Sequence, residues 1–234
     1  TIRLPSNGNA TQKEIDAALE MSLAYVETPD RSLNARTRAG LFGLSNILRL
    51  RTSVEPADPH SVDLETDALE LYPLIYLNIP DSMPPLSDTA IAHLNTYLRS
   101  GGALVIDTRA GGTIGTQTDV TRLETLLEGL DAPPLQTVGE NHVLTRTFYL
   151  LDDFPGRYAQ RNLWIEQAGD ASAPRGDGVS RLIIGDADWA SAWAVDEQGR
   201  DLYSVDGGAQ QREMARRFGV NLVMYVLTGN YKDD

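Results

Sequence analysis

The chain contains no cysteine among its 234 residues. That excludes disulfides, thiolate catalysis and zinc centres built on sulfur. Positive charge is scarce as well: 20 Lys and Arg face 33 Asp and Glu, a net charge of −13. Binding a polyanion requires Lys and Arg to neutralise phosphates, and no basic cluster is present, so nucleic acid is excluded as a partner. An anionic membrane surface is disfavoured for the same reason. No apolar run reaches the length of a membrane span. The opening TIRLPSNGNATQKE lacks the basic and apolar blocks of a signal peptide. Residues 1–20 are expected to form a polar lead-in or linker, and residues 21–234 a single domain. What remains is ordinary for such a domain, with 41% hydrophobic and 23% charged residues.

The first half alternates short apolar runs with helical periodicity. SLAYVE (22–27) reads as a strand that stops at Pro29-Asp30. The segment 32–51 sets Leu41, Leu44, Ile47 and Leu48 on one helical face. Gly40 and Gly43 sit beside that face, where they are expected to allow close packing against a sheet. After the acidic connector DLETDALE (63–70), PLIYLNIP is a buried-strand candidate. Ser87 is placed as an N-cap ahead of Ile91, Leu94 and Leu98, and Gly101-Gly102 closes that helix before the strand ALVID. A further helix is expected near 119–129, with Val120, Leu123 and Leu127 inward.

Strands that are apolar throughout suit a parallel sheet covered on both faces. The expected fold is therefore α/β: a doubly wound, mostly parallel, flavodoxin-like sheet with helices on both faces. Between 131 and 206, LQTV, VLTRTFYL, LWIEQ, RLIIG, AWAV and LYSV read as short strands or hairpins. A long last helix, with Met214, Phe218, Leu222 and Tyr225 or Val226 inward, ends at Gly229. Arg212, Arg216 and Arg217 on it read as a solvated stripe.

Open α/β sheets bind ligands beyond the carboxyl ends of their strands. That rule lines up Asp30, residues 78–82 and Asp107-Thr108-Arg109 on one rim. The Gly-rich stretch after Arg109 is either a surface loop or a cover over a ligand held by Asp107 and Arg109. It matches no nucleophile elbow, P-loop or dinucleotide fingerprint. His142, followed by Arg146, Asp152, Asp153 and Arg157, offers a general base or an anion contact, or else the two aspartates form a turn before Pro155. GDADWASAW (185–193) carries the carboxylates Asp186 and Asp188, with Trp189 and Trp193 as a stacking face for a ring or as core. His60 and His93 lack metal-ligand partners at a suitable spacing and read as surface residues. Neither metal nor cofactor is expected.

Seven segments together carry a resemblance: LAYVETPD, RAGLFGLSNILRLRT, ELYPLIYLNI, LSDTAIAHLNTYLRSGGALVIDTR, HVLTRTFYLLDDFPGR, DWASAWAVD and QREMARRFGVNLVMYVLTGNYK. The chain resembles the bacterial family catalogued as domain of unknown function 4159 over about residues 22–232. The resemblance implies a fold similar to class I glutamine amidotransferases and ThuA-like proteins. It also implies a longer natural protein, in which this domain follows a membrane-anchored, Bat-like amino-terminal region in the cell envelope. The amidotransferase Cys nucleophile is missing, and Asp107-Thr108-Arg109 stands in its region, so glutaminase chemistry is rejected and no catalytic residue carries over.

The expected function is a non-catalytic domain that binds a small molecule or an envelope protein partner. Asp30, Asp107, Thr108, Arg109, His142, Arg146, Asp186, Asp188 and Trp189 are its candidate ligand contacts. Its expected location is the bacterial envelope, tethered to the inner membrane through a segment outside this chain, with the side it faces left open and the periplasmic one favoured. The alternative is a hydrolase or carbohydrate-modifying enzyme that uses these carboxylates with His142 at the rim of the sheet. A third reading, a structural interaction module, requires an exposed apolar patch.

Overall fold

The computed structural model describes residues 11–80, 82–109, 117–139, 142–159, 163–166 and 179–230. Within these residues seven strands form one sheet: β1 (Ala24–Val26), β2 (His60–Val62), β3 (Leu74–Asn78), β4 (Ala103–Asp107), β5 (Leu135–Thr137), β6 (Leu163–Glu166) and β7 (Leu182–Gly185). Their order across it is β2-β1-β3-β4-β7-β6-β5. The β2, β1, β3, β4 and β7 pairings are parallel, and β6 and β5 extend the sheet antiparallel. Among the described residues six helices flank it: α1 (Gln12–Leu19), α2 (Arg31–Arg51), α3 (Asp88–Arg99), α4 (Gln117–Leu126), α5 (Trp189–Trp193) and α6 (Gly208–Asn230).

Alternation along each strand divides the core into two. Leu74, Tyr76, Val105 and Ile183 meet α2, α5 and α6 on one face. Ile75, Leu77, Leu104, Ile106 and Ile184 meet Leu94, Leu98 and Leu126 of α3 and α4 on the other. Both faces are covered, so the central strands tolerate no polar outer side, and this explains their unbroken apolar sequences. Helix α3 begins where Ser87 accepts the Ala90 N–H at 3.1 Å. It stops before Gly101, whose φ of 104° suits glycine. Asp30 caps α2 in the same way, accepting from the Leu33 N–H at 3.0 Å.

Several expectations are corrected. Gly40 and Gly43 do face a close neighbour, but it is α5 rather than the sheet. A Cβ on Gly40 would lie 2.4 Å from the Ala190 carbonyl oxygen, and one on Gly43 1.9 Å from that of Trp193. AWAV forms no strand: Ala192 and Trp193 end the short helix α5, wedged against α2 and α6 with the indoles of Trp189 and Trp193 fully buried, and Val195 makes only an isolated bridge. VLTRTFYL is also irregular, containing a 3-10 turn at Val143–Thr145. A side chain replaces the strand partner there. Asn221 of α6 accepts the Tyr149 N–H at 2.7 Å and donates to the Leu144 and Tyr149 carbonyls, each at 2.8 Å. Residues 202–205 are irregular too, beside an isolated bridge between Val195 and Asp201.

Helix α1, with a capping box of Thr11 and Glu14, occupies part of the expected lead-in. His60 opens the edge strand β2 and meets the Tyr72 hydroxyl at 3.2 Å, while His93 reaches the Leu64 carbonyl at 2.9 Å; both are half-buried, not free on the surface. Arg212 leaves the expected solvated stripe. It is buried and donates to the Ala192 carbonyl at 2.9 Å and to the Tyr203 carbonyl, which locks α6 to the segment after α5.

Candidate functional site

Strands β3, β4 and β7 end side by side, with Asn78 opposite Asp107 and Asp107 opposite Gly185. At this junction the carboxylate of Asp107 is fully buried. Its Oδ1 accepts the Arg109 N–H at 2.9 Å and the Asp188 N–H at 3.2 Å. Its Oδ2 accepts the Tyr76 hydroxyl at 2.6 Å and the Trp189 N–H at 2.7 Å. Four donors on two oxygens occupy the lone pairs of the group. Both residues that serve Oδ1 are left-handed without being glycine, Arg109 at φ 56° and Asp188 at φ 54°. Such conformations persist only where surroundings over-determine them, and here one carboxylate holds both.

Electrostatics oppose this clasp. Burial, and then repulsion from Asp188, push the Asp107 carboxyl up to about 7 against the lowering effect of its hydrogen bonds. Burial, followed by the Asp107 charge, holds the Tyr76 phenol well above its ordinary value. Tyr76 therefore remains the donor. Asp188 is buried; its Oδ2 lies 3.7 Å from Nη1 of Arg157, and its Oδ1 has no hydrogen-bond partner.

The candidate contacts separate into three groups. Asp107, Asp186, Asp188 and Trp189 come together at the ends of β4 and β7, but all four are buried. The Trp189 indole donates to the Phe154 carbonyl at 2.9 Å and packs tilted against Phe218, ring centroids 4.9 Å apart, and it is fully buried, so it offers no face to solvent. Asp30, Thr108 and Arg109 form the reachable rim. Thr108 is half-buried with its N–H on the Gly185 carbonyl at 2.9 Å, and Nη2 of Arg109 donates to the Ile79 carbonyl at 3.0 Å.

His142 and Arg146 stand apart from both. The His142 ring packs 5.6 Å from that of Tyr225, whose hydroxyl accepts the Ser180 N–H at 2.6 Å just before β7 begins. Asp186 and Asp188 follow the other end of β7, so a strand of four residues, roughly 13 Å, separates them. Burial alone lowers the His142 imidazole below its ordinary value. Most of the Gly-rich stretch, 110–116, lies outside the described residues.

Residues that pattern reading passed over build much of this junction. Tyr76 is the sole hydroxyl on the inward positions of β3, a signal that register with Asp107 would have exposed. Gly156 and Arg157 form a strap over the β7–α5 turn. The Arg157 N–H reaches the Asp188 carbonyl at 3.2 Å and the Tyr158 N–H the Ala187 carbonyl at 3.1 Å. Beside the strap lies a cleft of about 420 Å³, bordered by Asp152, Asp153 and Pro155 on one side and Gly207, Gln211 and Met214 on the other. Among the described residues no group of three or more His, Asp or Glu side chains is placed to hold a metal. No described helix is long and apolar enough to cross a membrane.

The model of the family described as Domain of unknown function (DUF4159) matches residues 22–227, and the chain belongs to that family. No curated protein matches it.

Proposed function

We propose that this chain is a non-catalytic α/β binding domain of a membrane-anchored bacterial envelope protein, with its ligand rim at the carboxyl ends of the parallel strands. The observation that carries this reading is the Asp107 carboxylate. It stands where an amidotransferase-like fold would present its nucleophile, yet it is buried and holds four donors. A nucleophile or general base needs a lone pair facing the substrate. The five parallel strands run 2-1-3-4-5 across the sheet, the order of flavodoxin-like folds, and this supports the finer arrangement. In that order the switch point falls between β1 and β3, beside Asp30, the Ile79 carbonyl and the Arg109 guanidinium. The envelope location and the tether outside this chain come from the family resemblance alone.

The hydrolase alternative loses its constellation, because His142 lies at the opposite end of β7 from the carboxylates. A protein partner is favoured by a different feature. Val143, Phe148 and Leu150 expose 55%, 45% and 84% of their surface within eight residues, more than isolated surface apolars require.

A thermal-shift screen against sugars, nucleotides, amino acids and divalent metals tests the small-molecule reading, with Arg109→Ala alongside. A ligand at a hundredfold its dissociation constant adds about 2.7 kcal/mol, or roughly 5–10 °C for a chain of this size. Loss of that shift in Arg109→Ala locates the site on the rim. Saturable turnover of ester, amide or glycoside substrates overturns the non-catalytic reading.

A further inference from the structure

We propose that two copies of this chain pair about a twofold axis, each seating Phe148 and Leu150 in the other's cleft beside the strap. This commits the exposed patch at 143–150, offered above to a protein partner, to a second copy; the ligand rim takes no part.

The patch is a rigid knob. The Leu151 N–H closes residues 145–151 into a loop on the Thr145 carbonyl at 2.8 Å. Asn221 plugs that loop with its three bonds to Leu144 and Tyr149, and the Thr147 hydroxyl donates to the Val143 carbonyl at 2.9 Å. Phe148 and Leu150 are exposed, while Thr145 and Leu151 are buried and Tyr149 is half-buried. A backbone pinned in this way has little freedom left to lose on association, so apolar side chains carried on it are immobilised at low cost. Phe148 stands edge-on to the Tyr149 ring, centroids 5.0 Å apart, and the Arg217 guanidinium covers that ring at 5.2 Å. Aromatic residues and arginine are the types that anchor protein interfaces.

The cleft suits such a knob in size and charge. Its volume of about 420 Å³ lies within the range that encloses a small organic ligand. Pro155 and Met214 give it apolar walls, and Asp152 and Asp153 line it with carboxylates. The knob side has the opposite sign. Arg51 and Arg217 share Glu213, at 2.8 and 3.0 Å, so this group beside Tyr149 keeps a surplus positive charge. Seating the knob in a second copy brings that surplus to the carboxylates of its cleft.

Knob and cleft also lie along one side of the molecule. Residues 142–155 run beside α6 in the opposite direction: His142 packs on Tyr225, Tyr149 meets Asn221, and Asp152 and Pro155 face Gln211 and Met214 across the cleft. From Arg217 beside the knob to Gln211 at the cleft is roughly 9 Å along the helix. A knob and a receptor this close on one face are satisfied together by a twofold rotation, which closes the assembly. On opposite faces the same contact would propagate into a fibre. Few anchors per contact make a small interface, with a dissociation constant in the micromolar range.

Sedimentation velocity of the full chain across micromolar concentrations tests the dimer. At about 0.15 M salt a Debye length of about 8 Å screens the repulsion between two chains of net charge −13. The sedimentation coefficient is expected to rise with concentration to that of a dimer and no further. Leu150→Glu, at a side chain with 84% of its surface exposed, should keep the wild-type Tm and weaken association at least about tenfold. Arg109→Ala should leave the dimer unchanged, so failure of the dimer and failure of the ligand rim are separate results. Because the chain has no cysteine, Leu150→Cys and Gln210→Cys, each at an exposed position, report contacts cleanly. Mixed and oxidised, the two variants should cross-link to each other in preference to like with like. A monomer at every concentration, assemblies larger than a dimer, a dimer that survives Leu150→Glu, or an excess of like-with-like cross-links overturns the proposal.

Discussion

Replacing Asp107 by Asn sets two large effects against each other. The amide keeps the shape of the carboxylate, and its oxygen can still accept the Arg109 and Asp188 N–H groups. Its NH2 then faces the Tyr76 hydroxyl, which can turn to accept, and the Trp189 N–H, which cannot. One buried donor is orphaned, costing about 2 kcal/mol. Against this, wild type pays for a buried charge. A carboxyl raised from 3.8 to about 7 on folding binds more protons in the native state. Its stabilisation is complete below the unfolded value and is lost as pH rises to the folded value, at up to about 1.4 kcal/mol per pH unit and about 4 kcal/mol in all. The variant lacks that loss. Urea unfolding of both proteins at several pH values reads the difference, in which other titrating groups cancel. The two should be about equally stable near pH 5.5, and the variant ahead by roughly 2 kcal/mol at about pH 8.5. A variant that is several kcal/mol weaker at both pH values refutes the reasoning, because the four donors would then outweigh burial and repulsion throughout.

Gly43→Ala gains about 1 kcal/mol of helix propensity but drives a methyl to 1.9 Å from the Trp193 carbonyl oxygen. Net destabilisation of about 2 kcal/mol is expected, seen as a lower calorimetric Tm; an unchanged Tm would mean that α2 and α5 do not touch there. Burial lowers both His60 and His142, so their contribution is present above the ordinary imidazole value and is lost as pH falls below it. His142→Phe should therefore reduce the loss of stability between neutral and mildly acidic pH, and NMR should place the His142 midpoint below 6.5. The paired bonds of Arg51 to Glu213, at 2.9 and 2.8 Å, are partly exposed. A double-mutant cycle of Arg51→Met and Glu213→Gln should give a coupling below about 1 kcal/mol.

The parts of the fold that sequence revealed are those where local and tertiary preferences agree. Ser87, the Ile91-Leu94-Leu98 spacing and Gly101 define α3 without help from the rest of the chain. The inward residues Phe218, Leu222, Tyr225 and Val226 of α6 are buried as their periodicity requires. Helix α5 was hidden because five residues are too few to show a helical period, and its Trp-rich composition imitates a strand. Its helicity depends on two helical glycines some 150 residues earlier and on a carboxylate supplied by β4. The candidate site divides along the same line. Chain order alone placed Asp30, Thr108 and Arg109 on the rim. Exposure could not be read that way, so Asp186, Asp188 and Trp189 look like rim residues in sequence and are interior in space. His142 misled through proximity to charged residues, although its packing partner, Tyr225, lies more than 80 positions away.

The Asp107 junction also shows how backbone strain can serve packing at the carboxyl ends of the strands. A nucleophile elbow strains one residue so that its side chain projects outward. Here two strained residues, Arg109 and Asp188, project main-chain N–H groups inward to a single oxygen. The strain here joins two loops instead of presenting a side chain. A small hydroxyl residue at position 107 would not keep the clasp. Serine offers one hydroxyl oxygen for donors that now occupy two carboxylate oxygens, and Arg109 and Asp188 would lose what holds them left-handed. On the proposed binding reading, contacts at this rim fall to side chains that leave the clasp free, those of Thr108, Arg109 and Asp30.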